Sequence, residues 1–217
     1  MKKESDYEIM RRRMVDEQLT SRGIIDPLVI SAFENVPRHE FVPEKLRDMA
    51  YGDHPLPIGG GQTISQPYMV ALMTQCLRLK GGERILEIGT GCGYQSAILA
   101  RIAKEVYSVE RLAELSREAS GRLKALGYFN CAVITGDGTL GLVEFAPYDG
   151  IIVTAGAPHI PGSLCSQLKN GGRLVIPVGG ESGQVLTVLE NRGGSCMSRE
   201  VCGCVFVPLI GKEGWSE

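Results

Sequence analysis

Hydrophobic spacing divides the chain near residue 80. Before it, apolar positions recur at helical intervals; after it, short apolar runs alternate with amphipathic stretches. Ile9, Met10, Met14 and Val15 mark one face of a first helix, with Ser5 and Glu8 in the spacing of a capping box. That helix should stop near Gly23. Asp26 followed by Pro27 reads as a cap and first helical residue of a short helix reaching Phe33, which Pro37 ends. Pro43 begins another helical turn. The segment Pro55-Leu56-Pro57-Ile58-Gly59-Gly60-Gly61 runs from stiff to flexible, and Pro67 opens a helix over 68–77.

In the second part, strands are expected at 84–88, 106–109, 131–134, 149–153, 173–178, 185–189 and 202–209. Helices at 95–103 and 112–126 separate the first three. Several of these strands are unbroken apolar runs, as strands covered on both faces should be. The class is therefore α/β: a doubly wound, mostly parallel seven-stranded sheet with right-handed crossovers, preceded by a helical subregion. The last two strands have no helix-length connection and should form an antiparallel pair at one edge.

Composition narrows the function. A chain of 217 residues suits one domain, and its 22% of charged residues is ordinary for a soluble protein. A net charge of -2 supplies no basic field for nucleic acid. Arg11-Arg12-Arg13 lies among Glu8, Asp16 and Glu17 and reads as a solvated helix face. There is no secretory h-region and no run of about 20 apolar residues, so neither export nor a membrane partner is expected. The seven cysteines are scattered, which predicts free thiols in a reducing cytoplasm. No metal-ligand cluster is evident. A monomer is the default expectation.

The chemistry concentrates in Leu86-Glu87-Ile88-Gly89-Thr90-Gly91-Cys92-Gly93-Tyr94, where the first core strand turns into a helix. Gly89, Gly91 and Gly93 let a ligand approach the backbone, with Thr90 between them. The spacing is G-x-G-x-G, whereas a dinucleotide turn reads G-x-G-x-x-G, and an acidic Glu87 suits a cationic ligand better than a phosphate. Glu110, followed by Arg111, ends the second core strand at about the twentieth position beyond the turn, where a carboxylate meets ribose hydroxyls. It also reads as an exposed strand-end charge. Asp137-Gly138 follows the third strand and suits either an adenine-amino contact or a plain Asp-Gly turn. The three acids share one edge of the sheet.

These residues resemble the cofactor motifs of class I S-adenosylmethionine methyltransferases. The upstream segment from Pro55 through Gln62-Thr63-Ile64-Ser65-Gln66-Pro67 to Ala71 is similar to the signature of the protein-L-isoaspartate (D-aspartate) O-methyltransferase family. The likeness extends over nearly the whole chain, from Met14-Val15 through Val36-Pro37-Arg38 to Phe206-Val207-Pro208-Leu209.

The resemblance implies a Rossmann-like methyltransferase fold in a single domain. Residues 1–80 would form the helices and substrate loop, and residues 81–217 the cofactor-binding core. It implies S-adenosyl-L-methionine as cofactor, S-adenosyl-L-homocysteine as its product, and isoaspartyl proteins and peptides as substrates. Glu87, Gly89, Thr90, Gly91, Gly93, Glu110, Arg111, Asp137 and Gly138 would hold the cofactor. Ser65 would be the active-site residue, with Gln62, Thr63, Ile64, Val207 and Pro208 on the substrate. The chain departs from the family pattern at Gly60, Cys92 and Gly156, which bears on packing around the site.

Methyl transfer to a carboxylate needs alignment and exclusion of water rather than a general base, because the nucleophile is already ionised at neutral pH. His39, His54 and His159 therefore need no catalytic part. Ser65 either supplies a donor to an anion at the start of the following helix or merely caps that helix. Val207-Pro208-Leu209 reads equally as substrate segment or as the last edge strand. Gly59-Gly60-Gly61 suits a close peptide, a lid or a plain loop. A methyltransferase for a small molecule, a nicotinamide oxidoreductase and a non-enzymatic binding protein are the competing classes. The Gln62 to Ala71 signature speaks against the first, the glycine spacing against the second, and intact acids with Ser65 against the third.

Overall fold

The computed structural model describes residues 3–216. Helix α1 (Glu4–Met14) starts one residue before Ser5, and its cap is made by the Lys3 N–H donating to the Asp6 carboxylate at 2.8 Å, not by the Ser5–Glu8 pair. It continues through a π-helical turn and a tighter turn until Gly23, in left-handed conformation, stops it. Tyr7, Met14, Val15 and Leu19 are buried and Met10 packs against the same core, but Ile9 is exposed and lies off the apolar stripe. Helix α2 (Pro27–Asn35) is capped by Asp26, which accepts from the Leu28 N–H at 2.9 Å. Two short helical turns, Arg38–Phe41 and Glu44–Met49, follow.

The proline- and glycine-rich stretch is not a loop. It folds into a hairpin of β1 (Leu56–Gly59) and β2 (Gln62–Ile64), with Gly60 and Gly61 making the turn at positive φ. Helix α3 (Pro67–Leu77) leads from the hairpin into the sheet.

That sheet contains β3 (Arg84–Ile88), β4 (Glu105–Glu110), β5 (Cys131–Thr135), β6 (Tyr148–Val153), β7 (Leu168–Gly180), β8 (Gly183–Arg192) and β9 (Ser195–Cys204), in spatial order β5-β4-β3-β6-β7-β8-β9. The strands β5 to β7 are parallel; β8 and β9 are antiparallel additions at one edge. Helices α4 (Tyr94–Ile102) and α5 (Ala113–Ala125) make the first crossovers. Two short helical turns join β5 to β6, and the five-residue α6 (Gly162–Ser166) joins β6 to β7.

Strand periodicity splits the core between the two faces. Ile85, Val106, Ile152 and Val175 face the N-terminal helices, α3 and α4. Leu86, Ile88, Val109, Ile151, Val153, Leu174 and Ile176 form the cluster on the other face. No helix of the described residues is long and apolar enough to cross a membrane.

The last strand departs from expectation. Of the apolar run expected as a strand at 202–209, only residues 202–204 lie in one. The strand β9 ends at Cys204, and its residues are mostly exposed or polar. An edge strand solvated on one face needs no apolar run, and the tight turn at Gly193-Gly194 pairs Arg192 with Ser195 and sets its register. The apolar residues beyond it leave the sheet. They cross to the strand tips, where Gly156 donates to the Val207 carbonyl and accepts from the Leu209 N–H, both at 2.8 Å.

Candidate functional site

The glycine turn forms because β3 must reverse into α4 within five residues. Gly89, Gly91 and Gly93 all take positive φ, and each faces a neighbour where a side chain would go. A Cβ on Gly89 would collide with the Thr154 hydroxyl, which donates to the Gly89 carbonyl at 2.7 Å. One on Gly91 would press on Ile58 of the hairpin, and one on Gly93 on Leu123 of α5. Glu110, at the tip of β4, fastens the turn from the side. Its Oε2 accepts from the Gly91 N–H and its Oε1 from the Leu112 N–H, both at 2.9 Å. Such charge-assisted bonds are stronger than neutral ones.

Glu87 does something other than face a ligand. Its side chain shares the parity of Ile85 and so points beneath α4, where it is fully buried. Its Oε2 accepts from the Ser108 hydroxyl at 2.6 Å and from the Ser96 hydroxyl, while Oε1 has no partner among the described residues. Because Ser108 donates to Glu87, it must accept from Thr90, whose hydroxyl lies 2.5 Å away. Desolvation, aided by the charge of Glu110, outweighs the serine bonds and pushes the Glu87 carboxyl up to about 8. Glu87 thus braces the turn from below through Thr90, and it does not line the cleft above it.

That cleft encloses about 890 Å³ including its mouth. The glycine turn forms its floor with Gly89, Thr90, Gly91 and Cys92. One wall is β2 and its exit: Gln62, Thr63, Ile64 and Ser65. The opposite wall is the C-terminal crossing segment, with Phe206, Val207, Pro208 and Leu209; Glu110, Arg111 and Gly138 close the end. The hairpin lies over the floor through Ile58 on Gly91, while a Cβ on Gly60 would touch Leu112. It is therefore a packed cover rather than a loose loop. Ser65 does not cap α3: the cap position is Gln66, and among the described residues the Ser65 hydroxyl has no hydrogen-bond partner, which leaves it free to face the cleft.

Twelve of the residues singled out in the sequence line this one cleft: Gln62, Thr63, Ile64, Ser65, Gly89, Thr90, Gly91, Glu110, Arg111, Gly138, Val207 and Pro208. Glu87, Gly93 and Asp137 do not. Gly93 is a packing glycine at the head of α4. Asp137 turns toward the chain end: its Oδ1 accepts from the Thr139 hydroxyl at 2.6 Å and N–H at 2.9 Å, and its Oδ2 from the Lys212 N–H at 2.9 Å. Burial alone would raise its pKa, but these donors outweigh that and hold it below the usual aspartate value.

Several participants were not foreseen. Ser108 pairs in register with Glu87 across β4, and Ser96 sits in the first turn of α4, so the parity of Glu87 was the available signal. Thr154, at the tip of β6, had none beyond its place at a strand end. Gly156, marked in the sequence as a departure from the family pattern, is a crossing point: a Cβ there would strike Gln184, and its carbonyl also accepts from the Trp215 indole N–H at 3.0 Å.

Comparison with known proteins bears directly on this arrangement. The model of the Protein-L-isoaspartate(D-aspartate) O-methyltransferase family matches residues 10–214. Protein-L-isoaspartate O-methyltransferase 2 of Pelobacter propionicus is 57% identical over 212 residues, covering 97% of this chain and 94% of that protein. The chain belongs to the protein-L-isoaspartate O-methyltransferase family. A second relative of that name, from Syntrophus aciditrophicus, is 53% identical and is covered over 98% of its length. A solved protein-L-isoaspartate O-methyltransferase superposes with a TM-score of 0.84 at 30% identity, covering 94% of this chain and 67% of that one. A Plasmodium falciparum structure described as a family member in complex with S-adenosyl-L-homocysteine gives 0.79 at 26% identity, covering 94% of this chain and 98% of its own. The seven-stranded, mostly parallel sheet is thus the fold of the family.

Proposed function

We propose that the chain is a protein-repair enzyme that moves a methyl group from S-adenosyl-L-methionine to the free α-carboxyl of L-isoaspartyl residues in proteins and peptides. The ester then loses methanol to a succinimide, which hydrolyses in part to normal aspartate. The observation that carries this reading is the convergence of the signature hairpin and the glycine turn on one cleft, with Ser65 and Gly91 both in its lining.

The residues present fit the cofactor. The turn leaves backbone exposed where side chains would obstruct it, and Glu110 sets a carboxylate at the strand tip. On this reading Gly89, Thr90, Gly91, Glu110, Arg111 and Gly138 hold the cofactor directly, while Glu87 and Gly93 shape the turn. Asp137 positions the end wall through Lys212. The cofactor supplies an activated methyl, and the protein supplies alignment. The Ser65 hydroxyl donates to the incoming carboxylate at the start of α3, where the helix end also favours an anion. Gln62, Thr63, Ile64, Val207 and Pro208 hold the peptide main chain, and the hairpin excludes water. The departures are accommodated: Cys92 is buried in the turn with its carbonyl accepting from Arg122 at 2.8 Å, and Gly60 and Gly156 take crowded positions.

On the same reading residues 1–80 carry the substrate side and 81–217 the cofactor side of one domain. The cleft is complete within one chain, which supports a monomer as the working unit. The net charge of -2 speaks against nucleic acid as substrate, and the seven free cysteines support a reducing cytoplasm. The test is Ser65→Ala. It should bind S-adenosyl-L-methionine by calorimetry as the wild type does, yet lose most transfer of labelled methyl to an isoaspartyl peptide. Full transfer by this variant removes Ser65 from the active site.

A further inference from the structure

Arg38 has no part in the chemistry described so far, yet it is completely buried. Its Nε donates to the Ala50 carbonyl at 2.7 Å and its Nη2 to the Ser65 carbonyl at 2.8 Å. Its third nitrogen, Nη1, has no hydrogen-bond partner among the described residues, and the guanidinium carbon lies 4.8 Å from the centre of the Tyr94 ring. Its neighbours are two backbone carbonyls and an aromatic ring, and no carboxylate forms an ion pair with it among the described residues. A buried guanidinium without an anion is unfavourable, and an apolar side chain of similar size often serves a core as well or better. Packing alone therefore gives no reason for an arginine here.

The shape of the group does. A guanidinium presents its donors in a fixed plane, which lysine does not. That plane connects the backbone of Ser65 with the ring of Tyr94, the first residue of α4 after the glycine turn. The ring is itself held edge-on by Phe33 at 6.0 Å and Phe41 at 5.5 Å. The link thus runs from the hairpin exit, through Arg38, to the head of the helix that the glycine turn opens.

We propose that Arg38 is the positioning residue of Ser65: by clamping the Ser65 carbonyl against Tyr94 it fixes where the hydroxyl stands relative to the glycine turn. This rests on the role given to Ser65 above. A displacement of the order of 1 Å in such a group can lower turnover about 100-fold.

The experiment is a double-mutant cycle on Arg38→Lys and Ser65→Ala, read as kcat and KM for an isoaspartyl peptide, with cofactor affinity measured by calorimetry on each variant. Arg38→Lys should leave the cofactor Kd within about twofold and lower kcat about 100-fold. In the Ser65→Ala background the same change should cost less than about threefold, because the group being positioned is gone. Arg38→Gln, uncharged and with a single donor group, should repeat the pattern. Independent, multiplying losses would overturn the proposal while leaving Ser65 in place. Full activity of Ser65→Ala alone would remove the Ser65 reading itself. If both Arg38 variants lose cofactor binding, Arg38 holds the fold rather than Ser65, and the proposal fails.

Discussion

Replacing Glu87 by glutamine tests the buried network under the glycine turn. In the folded chain the carboxyl is raised to about 8, from an ordinary 4.5, by desolvation first and the nearby Glu110 charge second. A raised folded pKa contributes stability that is fully present below the ordinary value and lost as pH climbs to the folded one. Each pH unit in that window removes about 1.4 kcal/mol, because the unfolded chain releases the proton while the folded chain retains it. Between pH 5 and pH 7.5 the wild type should lose about 3 kcal/mol from this group. Glutamine does not titrate, and its amide oxygen still accepts from Ser96 and Ser108. Its amide nitrogen takes the place of Oε1, which has no partner among the described residues in the wild type. Urea unfolding of both proteins at the two pH values should therefore show the variant gaining about 3 kcal/mol relative to wild type on going to pH 7.5. Parallel pH dependence of the two would mean that Glu87 is ionised in the fold, and the account of the network would be wrong.

Three further substitutions follow from the same geometry. Gly89→Ala forces a side chain into a positive-φ position against the Thr154 hydroxyl and should cost about 2 to 4 kcal/mol in urea unfolding; an unchanged midpoint contradicts this. Glu110→Ala removes the acceptor of the Gly91 and Leu112 N–H groups and should raise the S-adenosyl-L-methionine Kd about tenfold or more by calorimetry. Asp137→Asn weakens the fastening of Lys212, so amide exchange near residues 210–214 should quicken. Because the folded Asp137 pKa is depressed, the stabilisation it gives is present above the ordinary value of 3.8 and disappears as pH falls through the folded value. The wild-type advantage over Asp137→Asn should therefore shrink in acid.

The parts of the fold governed by local chemistry were legible in the chain. Asp26-Pro27 gave a helix start because the cap and the proline act within one turn, and the runs at 84–88 and 149–153 gave strands because burial on both faces demands mainly apolar residues, with Glu87 the buried exception. What failed depended on partners distant in sequence. The hairpin at Leu56–Ile64 was hidden because its strands are three and four residues long and rich in proline and glycine. The last strand was misplaced because Phe206 to Leu209 owe their apolar character to the cleft and the strand tips rather than to sheet burial.

The site shows the same division. Glu110 and the glycine turn were readable because the backbone spacing sets them on one edge, whereas Ser65 was marked only through the family resemblance. The direction of the Glu87 side chain was readable in principle from strand parity. Asp137 was not, because its choice between cleft and chain end depends on where Lys212 returns. Arg38 entered only as part of the likeness at Val36-Pro37-Arg38, with no role attached: the fold shows that this charged residue reaches the carbonyl of Ser65.

The central claim is that this cleft methylates an isoaspartyl carboxyl and no ordinary one. The direct measurement is transfer of labelled methyl from S-adenosyl-L-methionine to two short peptides that differ only in having L-isoaspartate or normal aspartate at one position. The account predicts base-labile label on the isoaspartyl peptide and none on its aspartyl twin. Equal labelling of both, or labelling of neither by protein that binds the cofactor, would contradict it.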